Sequence, residues 1–175
     1  MSVQTASAAR APMSPVYRRW IVGALAGIAL FAFAGGALAE ALLTLSRGPD
    51  DQEVVELFAE DLAELRQVTI ITENAFVDGK VAYRGPLVRD VIDRLGLGEA
   101  DLLRFTAAND YSIEIPASDF RNYDTIFAME ADGRKLSRRE KGPLWLMYPI
   151  SDNEELRDPI YIHRLIWQVV RIEPL

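Results

Sequence analysis

Leu144-Trp145-Leu146-Met147-Tyr148 is an unbroken apolar run held between Pro143 and Pro149, and its reading decides the fold. Five apolar residues closed by prolines fit a strand buried on both faces, because proline ends ladder pairing. Upstream, Tyr111, Ile113 and Ile115 alternate with Ser112 and Glu114, the period of a strand with one buried face. Asn109-Asp110 and Arg139 to Lys141 precede these two strands. The segment from Ala107 to Pro149 is therefore expected to carry the site, with polar side chains at strand ends.

Working outward, Leu42 to Ser46 alternates and predicts a first strand, followed by a turn at Gly48-Pro49-Asp50-Asp51. Asp50 with Glu53 reads as a capping box. Val54, Phe58, Leu62 and Leu65 recur at helical spacing, predicting an amphipathic helix over Asp51 to Arg66. Val68 to Thr72 is β-branched and predicts a strand. Asp78-Gly79 predicts a hairpin turn, and Val81 to Arg84 its return. Gly85-Pro86 opens a second helix whose buried stripe is Leu87, Val88, Val91, Ile92 and Leu95, with Gly96 closing it. Strands are expected at Leu103 to Ala107 and Thr125 to Met129, with a turn at Ala131 to Arg134. A loop over Ser151 to Pro159 and a β-rich segment from Ile160 to Ile172 finish the chain. The class is α+β: a β-rich mixed sheet with two amphipathic helices.

The N-terminal 39 residues differ in kind. Arg10, Arg18 and Arg19 precede Ile21 to Ala39, 19 residues without a charge that end Gly35-Gly36-Ala37-Leu38-Ala39. A basic start, an apolar centre and small residues at the end make a signal peptide cleaved after Ala39. A retained membrane anchor through residues 21–39 is the competing reading, since about 20 apolar residues span a bilayer. Both readings put residues 40–175 outside the cytoplasm, periplasmic or otherwise extracytoplasmic. Arg18-Arg19 also admits a twin-arginine signal, the route for proteins exported already folded.

Removing those three arginines from 19 basic and 26 acidic residues leaves the exported part at −10. Nucleic acid and anionic lipid are poor partners for such a surface. The 175 residues contain no cysteine, which excludes disulfides, thiolate metal ligands and cysteine nucleophiles within them. His163 is the sole histidine, set among apolar neighbours, and reads as structural or surface rather than catalytic. No catalytic residue and no metal ligand is assigned. Asn109, Asp110 and Tyr111 read either as a hydrogen-bonded turn or as an amide, a carboxylate and a phenol offered to a ligand. Arg138, Arg139 and Lys141 read either as solvated charges or as a cationic fork for an anion.

Several segments, in their order and spacing, resemble the oxidoreductase molybdopterin-binding domain of sulfite-oxidase-type proteins, in its short exported bacterial branch. They are Thr69 to Thr72, Asp78-Gly79, Tyr83-Arg84-Gly85-Pro86-Leu87 with Asp90-Val91-Ile92, and Ala108-Asn109-Asp110-Tyr111 with Ile115-Pro116. Ala128 to Leu136, Lys141-Gly142-Pro143-Leu144-Trp145 to Tyr148-Pro149, and Ile166-Trp167-Gln168 before Arg171-Ile172 complete the set. The resemblance implies that fold and a molybdenum-pterin cofactor, its metal held by the pterin dithiolene and by a protein cysteine in the region of Thr69 to Phe76. This chain departs from the pattern there, having no thiolate to offer.

The resulting expectation is a domain over residues 40–175 that binds a small polar or anionic ligand, or a protein partner, in the remnant of a cofactor cleft. Asn109, Asp110, Tyr111, Arg139 and Lys141 are its expected contacts. The alternatives are a molybdopterin-binding oxidoreductase with an unusual ligand set, and a structural subunit of a membrane complex that retains residues 1–39. Intact-mass analysis of the exported protein is expected to give an N-terminus at Glu40; retention of residues 1–39 would instead support the anchor.

Overall fold

The computed structural model describes residues 41–46 and 54–175. Its longest hydrogen-bonded sheet has five strands in the order β2-β1-β11-β5-β6. They are β1 (Leu43–Ser46), β2 (Val54–Leu57), β5 (Leu102–Ala107), β6 (Ser112–Pro116) and β11 (Val169–Pro174). β1 runs parallel to β11, with Thr44 opposite Arg171, whereas β2, β5 and β6 join antiparallel. A second sheet orders β3 (Gln67–Asn74), β4 (Val77–Pro86), β8 (Glu130–Ala131) and β9 (Arg134–Lys135). β7 (Ile126–Ala128) and β10 (Trp145–Met147) form an antiparallel pair between them.

The proline-bounded run behaves as its composition demands, with Leu144 to Tyr148 all buried. One edge of β10 pairs with β7. The other follows residues 165–169 through Leu146 N–H to the Ile166 carbonyl (2.9 Å), Val169 N–H to the Leu144 carbonyl (3.2 Å) and a bridge between Trp145 and Trp167. The Trp145 indole N–H donates to the Leu165 carbonyl at 3.1 Å, so a large apolar ring is buried without an orphan donor. Gly85 lies where β4 crosses β7, and a Cβ there would overlap the Phe127 carbonyl. That approach requires glycine.

α1 (Ala59–Glu64) and α2 (Val88–Arg94) lie between strands in the first half of the chain. α2 buries Val88, Val91 and Ile92, with Leu87 and Leu95 buried beside its two ends. Gly96 ends it at φ 71. The helix starts two residues later than expected, because Pro86 still pairs with Gln67 in β4.

Three local expectations are corrected. The helix proposed over Asp51 to Arg66 is confined to α1 among the described residues, because Val54 to Leu57 pair with β1 instead. The Asp50 and Glu53 cap lies outside the described residues; the cap observed is the Phe58 N–H donating to Asp61 Oδ2 at 2.8 Å. Asp78-Gly79 is not the hairpin turn. The chain reverses at Ala75-Phe76, and residues 78–80 form an irregularity in β4 with Gly79 at φ 78. Ile160 to His163 belong to α4 (Pro159–His163), which starts after Asp158 accepts the Ile160 N–H at 2.9 Å. The four α-helices among the described residues run only five to seven residues. None is long and apolar enough to cross a membrane, and the proposed signal or anchor lies outside the described residues.

A buried polar tie holds the last third of the chain in place. Asp119, in α3 (Ser118–Asn122), accepts from the Tyr148 hydroxyl at 2.7 Å and from Arg164 at 2.5 Å. Both members of the ion pair are largely shielded from water. Arg164 also covers the Tyr161 ring at 5.0 Å, and Tyr161 packs edge-on against Tyr123 and Tyr148. Burial, reinforced by the adjacent Asp119 carboxylate, pushes the Tyr148 hydroxyl well above its ordinary pKa, so it stays a donor. Removing one partner of a buried pair strands the other charge. Arg164→Met is expected to cost about 3–5 kcal/mol in urea unfolding, and adding Asp119→Asn should recover part of that loss.

Candidate site: an apolar cleft beside the β5–β6 turn

The β5–β6 turn, the β3–β4 reversal and the segment from α4 to β11 enclose a cleft of about 420 Å³. Ala107, Leu165 and Ile166 are its buried lining, with Ile162 beside them. Phe76 and Trp167 meet edge to face at 5.2 Å, and each keeps part of its ring exposed. Asn109, Tyr111 and His163 supply the polar groups. Mostly apolar walls with a few polar groups are the usual make-up of a small-molecule pocket.

Each polar group is fixed by a local contact. The Tyr111 N–H donates to Asn109 Oδ1 at 3.2 Å, and the Ala107 N–H donates to the Tyr111 carbonyl at 2.8 Å. The Ala108 N–H reaches the Gln168 carbonyl at 2.9 Å and ties this turn to the segment carrying Trp167. Asn109 thus makes the turn hydrogen bond its sequence suggested while still lining the cleft. His163 Nδ1 lies 2.7 Å from the Pro159 carbonyl, four residues earlier in α4.

Three residues at the rim have φ values that L side chains rarely adopt: Asp110 at 64°, Lys141 at 70° and Gln168 at 54°. Asp110 stands between two lining residues, Gln168 follows Trp167, and the Lys141 ammonium lies over the rings of Trp145, Trp167 and Phe76 at 5.2, 5.7 and 6.0 Å. Among the described residues, the other non-glycine residue at positive φ is Asp132, in the tight β8–β9 turn. Such backbone is held where surrounding contacts over-determine it, and binding sites are a common setting.

Of the five expected contacts, Asn109 and Tyr111 line the cleft, while Asp110, Arg139 and Lys141 do not. Arg139 is exposed on a short helical turn, Arg138–Glu140. Beside it, hydrogen bonds from Ser137 hold the Glu140 carboxyl below its ordinary pKa. Lys141 is spent on ring faces, a cation–π arrangement. His163, read from sequence as structural or surface, is exposed and lines the cleft together with Phe76 and Trp167, which the sequence did not single out as contacts. Their only signal was polar or aromatic character beside strand ends, which core residues share.

The oxidoreductase molybdopterin binding domain family matches residues 50–151. The chain belongs to that family. Its structure is similar to that of the sulfane dehydrogenase SoxCD from Paracoccus pantotrophus, with a TM-score of 0.54 at 17% identity. The likeness covers 75% of this chain and 37% of that one, and at this identity it shows a shared fold. No curated protein matches.

The residues present do not fit a molybdenum-pterin centre of the family type. No thiolate exists in the sequence, and no group of three metal-ligating side chains occurs among the described residues. Where the family resemblance places the cysteine, side chains are committed to the protein itself. Thr72 is buried, its hydroxyl accepting the Ser151 N–H at 3.1 Å and donating to the Glu73 carbonyl. Asn74 donates to the Tyr83 hydroxyl at 2.9 Å and accepts the Phe76 N–H. Burial raises the pKa of that Tyr83 hydroxyl, keeping it protonated. The segment works as a knot between β3, β4 and the chain after β10.

Strain at the turn has a measurable signature. Asp110→Gly is expected to raise unfolding stability by about 0.5 kcal/mol, since glycine adopts the left-handed conformation without a Cβ penalty. A loss of stability in urea titration would mean that the Asp110 side chain contributes more than its backbone costs.

Proposed function

We propose that this chain is an exported, ligand-binding member of the family, working from the extracytoplasmic side either free after cleavage at Ala39 or tethered through residues 21–39. The cleft carries this reading. It combines an apolar floor with three polar groups that have hydrogen-bonding capacity left over. No charged side chain lines it, so its occupant is a small polar molecule rather than an anion.

Family membership favours a second reading, an oxidoreductase that binds molybdopterin through an unusual ligand set. Shared fold alone does not carry the chemistry over. The donor set weighs against it, since molybdenum sites of this type use a soft sulfur ligand that this chain lacks.

The deciding measurement is molybdenum and pterin content of protein purified from its exported location, in a host that makes the cofactor and is supplied with molybdate. Neither is expected above background. Stoichiometric metal and pterin would overturn the binding-module reading in favour of the second.

A further inference from the structure

We infer that the cleft selects a neutral, planar aromatic molecule carrying a free hydroxyl, whose O–H donates to His163 Nε2; this rests on the ligand-binding reading above. The argument begins with the histidine tautomer. A carbonyl oxygen has no proton to give, so the 2.7 Å contact with Pro159 places the proton of a neutral imidazole on His163 Nδ1. Nε2 is then a bare acceptor, and it is the ring nitrogen left for a ligand. The amide of Asn109 is oriented by the same logic. Its Oδ1 accepts the Tyr111 N–H, so Nδ2 is the atom that remains to donate. Tyr111 lines the cleft half exposed, and a phenol hydroxyl can either donate or accept.

An acceptor, a donor and a phenol therefore share an opening whose remaining walls are apolar. A hydroxyl group answers this set, since it gives one proton to His163 and offers lone pairs to Asn109 or Tyr111. The walls specify the rest of the molecule. Phe76 and Trp167 stand edge to face with part of each ring exposed, and Ile162, Leu165 and Ile166 offer aliphatic surface. A flat ring gains contact with both kinds of wall. The lining holds no Asp, Glu, Lys or Arg, so a charged group would enter without a counter-charge and lose its hydration. The Lys141 ammonium does not answer that need, because it packs on the rings and is not part of the lining.

The test uses the exported protein and three probes of one size: naphthol, its methyl ether, and naphthoate, with affinities from calorimetry. Naphthol is expected to bind about tenfold more tightly than the ether, the effect of one lost hydrogen bond. His163→Phe should erase that ratio, and His163→Gln, which restores an acceptor, should retain part of it. His163 is exposed, so neither variant disturbs the core. Equal affinity of naphthol and ether in the unmodified protein would overturn the hydroxyl inference while leaving the cleft a binding site. Tighter binding of naphthoate would overturn its neutrality. Failure of all three to bind would overturn this inference, and the molybdenum and pterin measurement would then judge the binding reading by itself.

Discussion

The Asp119 carboxylate, shared by the Tyr148 hydroxyl and the Arg164 guanidinium, is the constraint on which the cleft depends. An ion pair with this little water around it survives only when its geometry is good and the remaining lone pairs are used. Here the Tyr148 hydroxyl and the Arg164 guanidinium both donate to Oδ2 of the carboxylate. The tie joins α3, the end of β10 and the residue that closes α4, three parts of the chain far apart in sequence. Arg164 separates His163 from Leu165 and Ile166, so fixing it fixes the wall those residues form.

A second level of order is aromatic. Trp145 is enclosed by Tyr83 at 5.5 Å, Phe76 at 6.4 Å and the Lys141 ammonium, and its indole hydrogen bond reaches the same wall through the Leu165 carbonyl. β10 thus transmits the position of the core to the cleft. Buried residues act here through shape and hydrogen-bond satisfaction, while exposed Phe76 and Trp167 present the surface a ligand would meet.

Much of this architecture was legible in the sequence where one physical demand dominated. The alternation in β6 and the stripe of α2 were settled by their hydrophobic period, and the buried run at Leu144 to Tyr148 by its length and the prolines that bound it. The failures share a cause. Val54 to Leu57 fits a helical stripe as well as an edge strand, and only pairing with β1, a non-local event, decides between them. Asp78-Gly79 has the composition of a turn, yet the hairpin reverses three residues earlier, at Ala75-Phe76, because Thr72 and Asn74 fix the register. In the site, Asn109 and Tyr111 were legible as polar residues at a strand entrance. His163 was not, since its place at the cleft follows from α4, where the sequence suggested a strand.

The parallel pairing of β1 with β11 bears on the order in which this domain can assemble. The first described strand lies inside its sheet, between β2 and the last strand, and the five-stranded order is incomplete until both are present. A ladder joining segments so distant in sequence must close a very large loop, which slows folding. During synthesis the partly made chain would hold β1 with one edge unpaired until β11 emerges, so the five-stranded sheet is closed last by that ladder.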